Sequence, residues 1–151
     1  MLKLRFIVPV LLLLSALWVP AQSNEVLDRI LAEEQLTYGS AAYLLIIATG
    51  KAADDTSPEQ AVVLAEQEGF ALEGFAPVDV ISIGQYSFML MRAFELSGGI
   101  MYRIIPGPRY AAREMEYAEV IMGPAIPGMA VSGNEALRML ERVLHQREGV
   151  S

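Results

Sequence analysis

Leu36-Thr37-Tyr38-Gly39-Ser40-Ala41-Ala42-Tyr43-Leu44-Leu45 reads against Ile81-Ser82-Ile83-Gly84-Gln85-Tyr86-Ser87-Phe88-Met89-Leu90, and more loosely against Val131-Ser132-Gly133-Asn134-Glu135-Ala136-Leu137-Arg138-Met139-Leu140. The hydroxyl residues Thr37, Ser82 and Ser132 stand 45 and then 50 positions apart, each ahead of apolar residues at helical spacing. Three variations on one start at such a period mark a repeat architecture. Each copy opens a helix that is apolar over most of its surface. One copy alone cannot cover that face, so the copies are expected to pack on one another.

Capping signals around these runs outline six helices. Asn24 reads as the cap of a first helix that carries Val26, Leu27, Ile30 and Leu31 on one face and runs to about Gln35. Thr37 caps the second, and Gly50 ends it. Ser57-Pro58-Glu59-Gln60 combines an N-cap, a proline at the first helical position and a capping-box glutamine, with Gly69 as the stop. Ser82 and Gln85 repeat that spacing for a fourth helix, expected to stop at Gly98-Gly99. Pro108 opens a fifth, expected to reach Met122 and end at Gly123. Ser132-Gly133-Asn134-Glu135 reads as a full capping box for the last, which ends near Arg147. Residues 101–105 read as a short extended piece, and no alternating segment is long enough to demand a sheet.

In chain order a leading helix precedes each hydroxyl-capped one. The expected fold is all-α, three pseudo-repeats of paired helices packed around a shared core, with repeats at about 24–50, 57–99 and 107–147 and a tail at 148–151. The longer linkers, residues 69–81 and 123–131, are too apolar for solvated tethers and are expected to pack across the helices.

The N-terminus supplies an address. Lys3 and Arg5 precede an almost wholly apolar stretch, and Val19-Pro20-Ala21 places small residues where a signal peptidase cuts. Residues 1–21 therefore read as a secretory signal, with export to the periplasm or cell envelope and no stable membrane insertion after cleavage. A spanning helix needs about 20 apolar residues, and this stretch is shorter and contains Pro9 and Pro20. The chain has no cysteine, which excludes disulfides and a lipid-modified cysteine at the N-terminus. Removing Lys3 and Arg5 leaves nine basic side chains against eighteen acidic ones, a net charge of −9. Nucleic acid is a poor partner for such a surface, and so, on net charge, is an anionic membrane.

Three copies, hydroxyl-first helix starts and the continuation Ala42-Tyr43-Leu44-Leu45 resemble the S-layer homology domain across essentially the whole processed chain. That family has three repeats of roughly fifty residues, each with a Thr-Arg-Ala-Glu signature opening an apolar helix. The resemblance implies a helical trimer of repeats and a cell-wall polysaccharide as ligand, contacted through the signature arginine. Here the four signature positions read Thr37-Tyr38-Gly39-Ser40, Ser82-Ile83-Gly84-Gln85 and Ser132-Gly133-Asn134-Glu135. The hydroxyl persists in all three and the acidic residue only as Glu135. Tyr38, Ile83 and Gly133 cannot pair with a carboxylate as a guanidinium does.

Positive charge is concentrated elsewhere. Arg103, Arg109 and Arg113 fall within eleven positions, interleaved with Tyr102 and Tyr110, and Tyr110, Arg113, Glu114 and Tyr117 form one stripe on the fifth helix. Two readings stand: a pocket for an anionic glycan or carboxylate, or a brace in which the arginines pair with acidic side chains of a neighbouring helix. The ligand-binding candidates are Arg103, Arg109, Tyr110, Arg113, Glu114 and Tyr117.

No residues are assigned to catalysis, a metal or a cofactor. The one histidine, His145, lies near the C-terminus, and no phosphate loop, nucleophile elbow or zinc pattern occurs. Asp54-Asp55-Thr56-Ser57 is too short for a calcium loop and reads as the acidic approach to a helix. The methionines read as core filler before they read as a peptide groove. The sequence thus points to a non-catalytic, envelope-associated binding or assembly protein whose partner is cell-wall polysaccharide or an envelope protein. The alternatives are a periplasmic protein-interaction adaptor and, third, a cryptic hydrolase.

Overall fold

The computed structural model describes residues 21–149 except Asp54. The expected signal segment, apart from Ala21, lies outside the described residues. Among them the chain is all-α: α1 (Ala21–Leu31), α2 (Tyr38–Ala48), α3 (Pro58–Gln67), α4 (Ile83–Ala93), α5 (Ile100–Ile104), α6 (Pro108–Tyr117) and α7 (Gly133–Glu148). Residues 101–105 are thus largely helical rather than extended. The first helix begins at Ala21 and ends at Leu31, which puts Asn24 inside it and not at its cap.

The hydroxyl caps form as the spacing demands. Thr37, Ser57, Ser82 and Ser132 all have extended backbones and accept a hydrogen bond from the amide three residues on. Gln60 and Gln85 in turn accept from Ser57 N and Ser82 N through their Oε1 atoms at 2.8 and 2.7 Å, completing two capping boxes. At Ser132 only half a box forms, because Glu135 lies 3.8 Å from Arg142 instead. At Thr37 the reciprocal role passes to Glu33, whose carboxylate accepts from Thr37 N at 2.9 Å and from the Ser40 hydroxyl at 2.6 Å.

Helix ends follow one rule with two chemistries. α2, α3, α4 and α6 all close with the paired 5→2 and 6→1 bonds of a Schellman turn, as in Gly50 N to Ile47 O with Lys51 N to Ile46 O, and Glu95 N to Arg92 O with Leu96 N to Met91 O. The left-handed residue is Gly50 or Gly69 in the first two and Glu95 or Glu119, at φ 51° and 57°, in the others. α4 and α6 therefore stop about five residues short of the glycines expected to end them.

The three hydroxyl starts converge on a closed ring of backbone hydrogen bonds. Leu36 N donates to Val131 O at 2.7 Å, Ile81 N to Leu36 O at 3.0 Å, and Val131 N to Ile81 O at 3.3 Å. All three residues are buried, each immediately before its cap. One step on, the first amide of each helix is satisfied from another segment: Tyr38 N by Asp79 O, Ile83 N by Met129 O, and Gly133 N by Glu33 O. The linkers thus return across the helix starts, each through a turn with proline second, Ala76-Pro77-Val78-Asp79 and Ile126-Pro127-Gly128-Met129.

Each hydroxyl-capped helix finds its main partner outside its own chain-order pair. α2 packs on α3, α4 on α6, and α7 on α1, so the last helix closes back onto the first. α3 and α6 present matching buried faces 50 positions apart, Ala61, Val62 and Ala65 against Ala111, Ala112 and Met115. α2 buries nine consecutive residues and sits deepest. The described core lies between Ile30 and Val143.

Candidate functional site

α6 starts without a side-chain cap. Pro108 occupies its first turn, and Ala111, Ala112 and Met115 bury one face. Helical geometry then fixes the opposite face: Arg109, Arg113 and Tyr117 are exposed, Tyr117 to 92%. Tyr110 and Glu114 occupy a half-buried shoulder. A Cβ added to Gly99, which precedes α5, would lie 2.9 Å from the Glu114 carboxylate. Glu114 therefore leans toward the start of α5, away from the arginine stripe. Arg103 projects from α5 and is exposed.

The ion pairs among the described residues are Lys51 with Glu68 and Arg142 with Glu135. Arg103, Arg109 and Arg113 make neither an ion pair nor a hydrogen bond there. The brace, one of the two readings of these arginines, is not formed among the described residues, although Arg109 sits in the first turn of α6, where an unpaired cation is electrostatically unfavourable; Arg113 lies mid-helix.

Beside the start of α6 lies a cleft of about 350 Å³, lined by Leu72, Glu73, Phe75, Phe88, Arg92 and Pro108 among others, so that it carries one charge of each sign. None of the six sequence candidates lines it, but Arg109 follows Pro108 at its edge. Phe75 meets Tyr38 edge-on at 6.1 Å, and Phe88 meets Tyr102 edge-on at 6.4 Å. The Arg92 guanidinium lies over the Phe88 ring, 5.3 Å from its centre. Burial pushes the Tyr102 hydroxyl above its ordinary range; the Arg92 charge works against that shift and the Glu114 charge adds to it. Aromatic walls beside a guanidinium suit a planar or ring-shaped anion.

Arg92, Phe88 and Phe75 escaped the sequence reading. The available signal was the spacing of Phe88 and Arg92, four apart on a helix and so on one face.

A larger opening of about 590 Å³ lies at the C-terminal ends of α2, α4 and α7. Its charges are of both signs and largely engaged. Lys51 pairs with Glu68, and Arg147 lies 5.2 Å from the centre of the Phe94 ring. His145 is exposed in the last turn of α7. Asp54 of the acidic 54–57 stretch lies outside the described residues. Within that stretch the Thr56 hydroxyl accepts from Ala53 N, and Ser57 caps α3.

Comparison with protein-family models, curated proteins and solved structures finds no match.

Proposed function

We propose that this is a non-catalytic, exported binding or assembly module of the cell envelope that takes an anionic wall glycan along the cleft and the exposed face of α6. The observation that carries the reading is the set of unpaired arginines, Arg109 and Arg113, on a rigid helix beside an aromatic cleft that holds Arg92. A sugar ring stacks on Phe88 or Phe75, its acid group pairs with Arg92, and the polymer continues over Arg109, Arg113 and Tyr117. The second position of each hydroxyl-first start, Tyr38, Ile83 or Gly133, is buried. A cationic contact through those positions is therefore closed, and the arginines of α4 and α6 take over the charge.

The test is co-sedimentation of the processed chain, beginning at Gln22, with purified peptidoglycan carrying its anionic polymers. That chain retains the described core. Saturable binding is expected, weakened by salt and reduced about tenfold or more in Arg109→Ala/Arg113→Ala and in Arg92→Ala. Both variants should keep the wild-type melting temperature, because these side chains are exposed. Wild-type protein that fails to sediment, or variants that bind as well as wild type, overturn the reading.

A further inference from the structure

The repeat spacing and the structure together single out α5. Pro58 to Ser82 and Pro108 to Ser132 are both 24 positions, whereas Thr37 to Pro58 is 21 and Ser82 to Pro108 is 26. The difference between the 45- and 50-residue periods therefore falls wholly in the linker between α4 and α6. The first repeat has a polar loop at that place, Thr49-Gly50-Lys51-Ala52-Ala53-Asp54-Asp55-Thr56-Ser57; the second has α5, itself five residues long.

This extra helix buries no residue. Ile100, Met101 and Ile104 lie on one face by helical spacing, exposed to 73%, 47% and 67%, and Ile105, the C-cap that follows, is exposed to 55%. Tyr102 points the other way and docks the helix on Phe88. Gly98-Gly99 and Pro106-Gly107-Pro108 flank it on either side. An added element that, with its C-cap Ile105, shows four large apolar side chains to water and reaches the core only through half-buried Tyr102 is built for contact.

We propose that α5 docks the protein peripherally on a bilayer surface containing anionic lipid, with the isoleucines entering the acyl boundary and Arg103 and Arg109 held at the phosphates. Charge complementarity selects this occupant. Between Leu96 and Arg113 the charged side chains are Arg103, Arg109 and Arg113 and no acidic residue occurs, with Glu95 and Glu114 bounding the stretch. The net charge of −9 disfavours a membrane for the surface as a whole, and the clustering of arginine restricts docking to this orientation. A short apolar helix that carries Arg103 and is followed in the chain by Arg109 matches an interface where apolar tips are buried and charged heads stay with the headgroups. Among the described residues no helix is long and apolar enough to cross a membrane, so the contact is superficial and reversible.

The experiment is density-gradient flotation of the processed chain with phosphatidylglycerol–phosphatidylcholine vesicles, beside pure phosphatidylcholine vesicles. Wild type is expected to float with the anionic vesicles, less so at high salt. Ile104→Ser/Ile105→Ser should lower the partition coefficient by about tenfold or more at unchanged melting temperature, since both residues are exposed. Arg103→Ala should lower it on anionic vesicles alone. Wild type that stays at the bottom of the gradient overturns the proposal, as does an isoleucine variant that floats equally well. Loss of a protein from an envelope-extract pull-down by the same variant, without vesicle binding by wild type, would assign the face to a protein and also sink the proposal. Sedimentation with wall polymer is expected to survive the isoleucine changes, which separates failure here from failure of the glycan reading.

Discussion

Gly133→Ala is the sharpest test of how the chain closes on itself. Gly133 is the first residue of α7, a position where alanine normally supports a helix better than glycine does. Here an added Cβ would lie 2.8 Å from the carbonyl carbon of Ile30, closer still to its oxygen, and 3.2 Å from the Cα of Leu31. All three are backbone atoms, so no rotamer change relieves the contact. α1 and the start of α7 would have to part by about 1 Å or more to restore ordinary contact distances. That displacement strains Gly133 N to Glu33 O at 2.9 Å and Leu36 N to Val131 O at 2.7 Å, the second being one side of the central ring. Overpacking costs about 1–3 kcal/mol, and each hydrogen bond lost adds about 1 kcal/mol. The sum, about 3–5 kcal/mol, is a large share of the 5–15 kcal/mol typical of a domain. It corresponds to a fall in Tm of about 10–15 °C for a chain of this size. Thermal and urea unfolding followed by circular dichroism measure it. Gly128→Ala is the control, because no atom lies within 4 Å of its added Cβ; it should stay within about 0.5 kcal/mol of wild type. If Gly133→Ala proves as stable as the control, the close approach of α1 to α7 is refuted, and with it the closure of the last helix onto the first.

Glu95→Gly and Glu119→Gly, at the left-handed helix stops, should each raise stability by about 0.5–1 kcal/mol, read as a shift of the urea midpoint, because glycine occupies that conformation without a Cβ penalty. Burial raises the hydroxyls of Tyr38, Tyr86 and Tyr102 above their ordinary value of 10.0. The native state therefore holds these protons after the unfolded chain has lost them, so stability is fully present below about pH 10 and falls as pH rises beyond it. Urea midpoints taken from neutral to alkaline pH should show this decline. Tyr86→Phe removes one titrating group and the bond from its hydroxyl to Ala136 O at 3.0 Å. It should cost about 1 kcal/mol at neutral pH and flatten the alkaline fall. Glu33→Ala, which strips Thr37 N and the Ser40 hydroxyl of their acceptor, should cost about 1–2 kcal/mol by the same unfolding measurement.

Helix starts were legible because hydroxyl caps act locally: the side chain of residue i bonds the amide of residue i+3, and no distant partner is needed. Thr37, Ser57, Ser82 and Ser132 all cap where the spacing places them. Helix stops were legible only where the left-handed residue is glycine. Gly50 and Gly69 announce themselves, whereas Glu95 and Glu119 carry nothing in their side chains that asks for positive φ. They are held there by the 6→1 bonds of Leu96 N to Met91 O and Val120 N to Met115 O, beside buried Val120. The spatial pairing of helices was hidden for a different reason. An apolar face shows that a helix will be covered, but not whether the cover comes from the helix before it or the one after. The cleft was missed on similar grounds, since Phe75 and Phe88 come from a linker and a helix that meet only in the folded chain.

The divergence of the three starts follows from what the ring is made of. Leu36, Ile81 and Val131 join through backbone N–H and C=O groups, so the ring constrains conformation and leaves the next side chain open to its surroundings. Those surroundings differ. Tyr38 reaches across to accept a bond from Leu72 N at 2.9 Å, anchoring a linker. Ile83 fills apolar space, and Gly133 yields room for α1. All three positions are buried, where an unpaired guanidinium would carry a heavy desolvation cost. On the proposed glycan reading, charge for recognition sits where the same geometry turns side chains outward, at the last turn of α4 and along the open face of α6. Arg92, Arg109 and Arg113 occupy those places, each exposed. Substituting them should therefore alter binding and leave folding unchanged, whereas substituting Tyr38, Ile83 or Gly133 should disturb folding first.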